Sequence, residues 1–249
     1  MPVEYGIANN TPPATVANGA AIAVRASRYG DIYSVNAMEA VNAVAAEGYS
    51  FRASNATPGT AIAMGIQTTF SATANVLAVI ENFDSAGGRS LFLNYARLIC
   101  TVAGATTTSS DLAIRIDTTL RRTTGGSGGT QLTSVNANSG SSNASIGRVF
   151  FGAVTAAAET AARQVARAKL KTQAAPCWTV GDELILNFGD GGGQGGSLIS
   201  GAGATLLAKG VGPVVVAPGH SALLHMWNPA NATTAPSWEC EFAWTERHV

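Results

Sequence analysis

Residues 237–245, Ser237-Trp238-Glu239-Cys240-Glu241-Phe242-Ala243-Trp244-Thr245, decide the fold class. Trp238, Cys240, Phe242 and Trp244 fall on one side of an extended chain, and Glu239, Glu241, Ala243 and Thr245 on the other. That period of two is the signature of a β-strand with one buried face. Working outward, Val214–Val216 and Ala222–Trp227 read as two strands joined by a turn at Pro218-Gly219. Leu91–Val102 is the longest strand candidate, with Leu91, Leu93, Tyr95, Arg97, Ile99 and Thr101 on one face. Leu112, Ile114 and Ile116 alternate with Ala113, Arg115 and Asp117 in a half-buried strand. Tyr49–Arg52, Val76–Ile80 and Glu183–Phe188 complete a set of about eight short strands separated by turn signals, the pattern of an all-β sandwich or barrel. Long connections between them favour a jelly-roll or Greek-key path over a meander.

Residues 1–47 differ from the rest. Asn9-Asn10-Thr11-Pro12-Pro13 breaks regular structure and suggests an extended arm. From Asp31 to Ala46, Ile32, Val35, Met38, Val41 and Ala45 recur at three- and four-residue steps, predicting one short helix stopped by Gly48. The expected organisation is an arm and helix over 1–47 and a jelly-roll β-sandwich over 48–249. Residues 123–145 and 189–203 are rich in Gly, Ser, Thr and Asn and read as loops or extended hairpin tips. Ala153–Lys171 is Ala-rich enough for a helix, yet Arg163, Val165, Arg167, Lys169 and Lys171 fall at period two. A loop followed by a strand is the preferred reading, because tertiary context overrides helix propensity.

The chain of 249 residues carries fifteen basic and fifteen acidic side chains, 12% of the whole, against about 25% in an ordinary soluble domain. Zero net charge argues against nucleic acid as partner, since counterion-release binding needs a basic excess. No stretch reads as a membrane span. The first residues show no signal peptide, and Cys100, Cys177 and Cys240 form no C-x-x-C pair or even-numbered framework. The expectation is synthesis in a reducing cytosol, with Cys100 and Cys240 as buried apolar residues.

Chemical signatures are weak. Gly191-Gly192-Gly193-Gln194-Gly195-Gly196 matches G-x-G-x-x-G literally, but no acidic residue follows until Glu239, so no dinucleotide cofactor is expected. His220 and His225 do not have a zinc spacing, although one histidine per subunit at a symmetry axis would supply three ligands. Glu239 and Glu241 share a strand face and are the first candidates for paired carboxylates, as are Asp111 and Asp117 less closely. A solvated face opposite a buried aromatic one explains Glu239 and Glu241 more simply. Arg163, Arg167, Lys169 and Lys171 read as a solvated strand edge, with binding to an acidic or phosphate group as the alternative. No catalytic residue, metal site or cofactor is assigned. The Trp238/Phe242/Trp244 row and the Leu223/His225/Trp227 row are either the inner face of the sandwich or a subunit interface, or one of each.

Arg28-Tyr29-Gly30-Asp31-Ile32-Tyr33 leading to Glu47-Gly48, and Asn55-Ala56-Thr57-Pro58-Gly59-Thr60, resemble the opening of a group of tailed-phage virion proteins. Asp84-Ser85-Ala86-Gly87-Gly88, Val180-Gly181-Asp182-Glu183, Leu224-His225-Met226-Trp227-Asn228-Pro229 and Glu241-Phe242-Ala243-Trp244-Thr245-Glu246-Arg247 match the same pattern. The resemblance implies a trimeric, tumour-necrosis-factor-like jelly roll without enzymatic activity. Such a subunit would decorate a capsid as a cement protein in the virion, assembled in the host cytoplasm, with itself and the major capsid protein or other virion proteins as partners. A receptor- or glycan-binding module of a tail or fibre, using loops 123–145 and 189–203, is the alternative. A glycan-cleaving enzyme using Glu239 and Glu241 is a third reading. Candidate interface residues are His225, Trp227, Trp238, Phe242 and Trp244, with Pro12, Pro13, Tyr29 and Tyr33 from the arm.

Overall fold

A computed structural model describes residues 44–105, 109–172, 176–189, 195–196, 200–201, 204–230 and 233–248. Pro12, Pro13, Tyr29 and Tyr33, and the helix expected from Asp31, lie outside these residues up to Val44. Val44–Ala46 is helical, and Gly48 ends it: the Gly48 N–H donates to the Ala45 carbonyl at 3.0 Å and the Tyr49 N–H to that of Val44 at 3.1 Å. Gly48 has φ 76°, the left-handed conformation that closes a helix and that glycine adopts without a Cβ penalty.

The rest is β-structure. The strands are β1 (Ser50–Ser54), β2 (Ile62–Ala63), β3 (Val76–Asn82), β4 (Arg89–Val102), β5 (Ser109–Asp117), β6 (Ser127–Asn136), β7 (Gly147–Thr155) and β8 (Arg163–Thr172). They continue with β9 (Glu183–Phe188), β10 (Gly195–Gly196), β11 (Ser200–Gly201), β12 (Ala204–Val211), β13 (Val215–Val216), β14 (Ser221–Trp227) and β15 (Ser237–His248). Their order is β10-β12-β9-β4-β15-β1-β6-β7-β3-β14-β5-β8, with β2, β11 and β13 paired at the sides. Among the described strands only β12 and β9 run parallel. Sequence neighbours are seldom sheet neighbours, which is the jelly-roll, Greek-key form of an all-β sandwich.

The ladder turns from one layer into the other within β6. Its Thr133–Asn136 half pairs with β1 and its Ser127–Leu132 half with β7. This strand lies inside the 123–145 segment read from sequence as a long loop or extended hairpin tip. Only Leu132 of β6 is buried, so its residues are polar and small. What orders it is backbone pairing, of one half with β1 and of the other with β7, which leaves no hydrophobic pattern to read. The structure also adds β7 and β12, which no strand reading had covered. Residues 190–194 of the glycine run lie outside the described residues, while Gly195–Gly196 and Ser200–Gly201 pair with β12.

The core lies between the layers. Trp238, Phe242 and Trp244 of β15 are buried, each against an aromatic from elsewhere. Trp238 meets Trp178 edge-on at 4.9 Å, Phe242 meets Phe151 at 6.0 Å, and Trp244 stacks on Phe51 at 6.4 Å. Burying one such side chain contributes about 1.5–3 kcal/mol. In β4 the inward positions are Leu91 and Leu93, then Ala96, Leu98 and Cys100. A register shift between Ala243 and Trp244 of β15 skips Asn94. The single face expected for Leu91–Thr101 therefore switches at the bulge, since one extra residue inverts the alternation.

Residues 156–162 form the loop, and Arg163–Thr172 the strand, preferred for the Ala-rich segment. β8 ends the strand path. Arg163, Arg167 and Lys169 are exposed on it, while Ala166, Ala168 and Leu170 pack inward. Lys171 departs from the expected solvated stripe: it is buried, with Nζ 2.5 Å from the Asp182 carboxylate, 3.1 Å from the Cys177 carbonyl and 4.6 Å from the Trp178 ring centre. A register shift between Ser110 and Asp111 of the neighbouring β5 turns the end of β8 inward.

Candidate interaction surface

β14 has two faces. Ala222, Leu224 and Met226 enter the main core, and Leu223, His225 and Trp227 point the other way. Leu223 joins Val76, Val79, Phe150, Val154 and Ala156 in a second, smaller cluster on the outer side of this layer. His225 and Trp227 are only 3% and 7% exposed, because residues 64–75 cross over them as a strap. Phe70 supplies the cover, its ring centre 5.1 Å from His225 and 5.7 Å from Trp227. Arg115 approaches the Phe70 ring at 5.5 Å and pairs with Glu159.

The strap is pinned at both ends and in the middle. The Asn228 N–H donates to the Gln67 carbonyl at 2.8 Å, the Ala156 N–H to Thr73 at 2.7 Å, and the Asn75 side chain to Ile66 at 2.7 Å. Arg121 reaches it from below. Its guanidinium donates to the Ala72 carbonyl at 2.9 Å, the Ala157 carbonyl at 2.7 Å and the Asp117 carboxylate at 2.8 Å. Burial by itself would raise the Asp117 pKa. The N–H groups of Ala161, Thr160 and Thr118, with Arg121, outweigh it and hold the carboxyl below its ordinary range. Asp117 is therefore a structural pin and not a free acid.

Trp238, Phe242 and Trp244, candidates for a subunit interface, lie wholly inside the sandwich and have no surface to offer a neighbour. His225 and Trp227 are on the outer side, but under their own chain's Phe70. What faces solvent there is Phe70, 41% exposed, and Ile66, 43% exposed. The sequence reading passed over both. Each is a single large apolar residue in a polar stretch, Gly65-Ile66-Gln67-Thr68-Thr69-Phe70-Ser71, which was the available signal.

His225 cannot join symmetry mates at an axis from beneath Phe70. Its ring bonds the Ser71 backbone, and Nε2 has no hydrogen-bond partner among the described residues. Burial first, then the positive charges of Arg115 and Arg121, lowers its pKa to about 4. Among the described residues no group of three His, Cys, Asp or Glu is placed to hold a metal ion.

The outer side of the other layer is polar and paired. Glu241 accepts the Tyr95 hydroxyl at 2.6 Å and Arg52 at 3.3 Å, Glu239 accepts the Gly59 N–H at 2.8 Å, and Glu183 takes two bonds from Arg97. Burial, then the Glu241 carboxylate, pushes the Tyr95 phenol up to about 12. Both carboxylates of the candidate pair, Glu239 and Glu241, thus hold neighbouring donors, the geometry of a tied surface.

No family model, curated protein or solved structure matches this chain.

Proposed function

We propose that the protein is a non-enzymatic structural subunit of a tailed-phage particle, a capsid decoration protein that assembles as a homotrimer and docks on the shell through contact area. The virion setting and the trimer rest on the resemblance of the quoted motifs. The observation that carries an assembly role is the strap: two large apolar side chains, Ile66 and Phe70, are held at the surface by a backbone fixed through Arg121, Asn75 and Asn228. A rigid aromatic at the surface binds with little loss of side-chain freedom, and aromatic anchors dominate interface energetics. Low surface charge lowers the cost of desolvating the docked face.

Light scattering of the purified protein, followed by co-sedimentation with undecorated shells, tests this reading. Trimers that co-sediment are the expected result, and a strict monomer that never binds shells overturns it. Binding to host-surface glycan without shell binding would favour the fibre reading. Polysaccharide turnover lost in Glu239→Gln or Glu241→Gln would favour the enzyme.

A further inference from the structure

The strap over residues 64–75 is lightly held for a cover. Met64 is its only buried residue, and Ile66, Thr68, Thr69 and Phe70 are exposed. The bonds from Asn75 to Ile66, and from the Thr73 and Ala74 N–H groups to the Ser71 hydroxyl, lie within the strap. At its ends it is tied to the sandwich through Met64 with Pro236 and Thr73 with Ala156. Its middle is tied through Gln67 with Asn228, Ala72 with Arg121, and between them Ser71 with the ring of His225. A segment with few buried apolar contacts and bonds close to solvent opens at far lower cost than the whole fold.

His225 is the centre of that fastening. One ring nitrogen bonds the Ser71 backbone, so a proton must enter at Nε2, which has no hydrogen-bond partner among the described residues. Uncharged, the ring fits beneath Phe70, 5.1 Å away. Protonated, it is a buried cation that needs a carboxylate or water. The strap supplies no carboxylate, since Met64–Asn75 contains no Asp or Glu, and neither does β14. β3 offers only Glu81, opposite Ser221 at the far end and already bound by Arg122 and Thr123. On β5, Arg115 acts on the ring as a like charge, and Asp111 lies opposite both Trp227 and Lys169 of β8. Arg167 of β8 stands opposite Ala113, and Arg163 opposite Ile116. Arg121 adds a second guanidinium beside the ring. The remaining acids are taken, Asp117 by Arg121 and Glu159 by Arg115. Only water is left to solvate the imidazolium, and the strap keeps water out.

We infer that residues 64–75 form an acid-released cover: a proton on Nε2 of His225 lifts the strap and bares Trp227 while the sandwich stays folded. The ring titrates at about 4 beneath the strap, against its ordinary 6.5, so one proton favours the lifted form by ~300-fold. The strap is closed above about pH 6.5, the bias towards opening grows as the pH falls to 4, and it is constant below that. Lifting admits water to the imidazolium and separates Phe70 from Trp227, which uncovers an apolar surface that is closed at neutral pH. The inference rests on the strap's own contacts and goes beyond the virion reading.

Acrylamide quenching of tryptophan fluorescence in dilute full-length protein, followed from about pH 7.5 to 4 beside far-ultraviolet circular dichroism, tests it across the range in which the ring titrates. Trp178, Trp238 and Trp244 are enclosed in the core, so Trp227 is the indole that the strap controls. The expected result is quenching that rises roughly twofold or more as the pH falls, before any loss of circular dichroism. The rise is absent in Trp227→Phe, and in His225→Phe and His225→Gln, which take no proton at this position. Quenching that stays flat, or that rises only as the dichroism is lost, overturns the inference. So does a rise that survives in Trp227→Phe or in a folded His225 variant. The wild type and Trp227→Phe decide the outcome even where a His225 variant does not fold. A protein that neither trimerises nor binds shells removes the decoration reading and leaves this inference standing.

Discussion

The Arg121 guanidinium lies 2.8 Å from the Asp117 carboxylate, and neither side chain has meaningful access to solvent. The pair fastens three separate segments: the end of β5, the strap at Ala72 and the β7–β8 loop at Ala157, Thr160 and Ala161. Removing either partner leaves a buried charge with incomplete compensation. Arg121→Ala and Asp117→Ala are each expected to cost ~3–5 kcal/mol, read from urea midpoints at constant slope. A loss under ~1 kcal/mol in both would show that the strap does not depend on the pair.

Surface and core aromatics separate in a second comparison. Trp238→Ala removes a fully buried indole and is expected to cost ~3–5 kcal/mol. Phe70→Ala removes a ring that is 41% exposed and is expected to cost nearer ~1–2 kcal/mol, with secondary structure intact. If Phe70 anchors assembly, Phe70→Ala nevertheless weakens self-association and shell binding at least tenfold, the scale of an interface hot spot. Unchanged light scattering and co-sedimentation would remove Phe70 from the interface.

His225 makes stability depend on pH in a defined window. Its folded pKa is about 4, below the ordinary 6.5, so between these values the unfolded chain binds the proton first. Stability is complete above about pH 6.5, falls as the pH drops towards 4 and levels off below that. The full effect is on the order of 3 kcal/mol. Arg115 and Arg121 face the ring and add to its reluctance to ionise. Urea midpoints from pH 7.5 to 4 are expected to fall in the wild type and to fall less in His225→Phe. Parallel curves would exclude His225 as the source. Asp84 and Asp117, both held below the usual carboxylate value, lose their contribution only at lower pH, as the medium falls through their folded values.

The three cysteines are buried thiols and none forms a disulfide. Burial raises Cys100 to about 12, Cys177 to about 11 and Cys240 further still, so almost no thiolate exists at neutral pH. A disulfide reagent such as Ellman's is expected to leave all three untouched in the folded protein and to titrate three in denaturant. Reaction of the native protein within minutes would contradict the burial.

Strands with an apolar rhythm were readable. The Trp238–Phe242 alternation follows from side chains that alternate between core and a partly exposed face, and the turn between Val216 and Ala222 from Pro218-Gly219; Leu112–Ile116 was readable as a strand but is not half-buried, since Ala113 and Asp117 on its expected solvent face are buried. β6 was not readable as a strand, because Ser127–Asn136 owes its extended form to backbone bonds with β7 along one half and β1 along the other, and buries only Leu132. β4 was half readable: Leu91 and Leu93 were placed on the right face, but the bulge at Asn94 inverts the pattern beyond it. Of the candidate interface residues, sequence separated His225 and Trp227 from Trp238, Phe242 and Trp244 as two rows without deciding which faced outward.

What the sequence by itself determined is the class: a charge-poor, glycine- and alanine-rich all-β sandwich whose strands announce themselves wherever one face is apolar. That information is local, carried by the alternation of each strand and the turn chemistry between strands. Tertiary structure alone decided which apolar row is enclosed and that Phe70 is laid over His225 and Trp227. These depend on contacts between residues far apart in the chain, such as Arg121 with Ala72 and Asn55 with Cys240. Exposure is set by what the rest of the chain places above a residue, and a one-dimensional pattern does not record that.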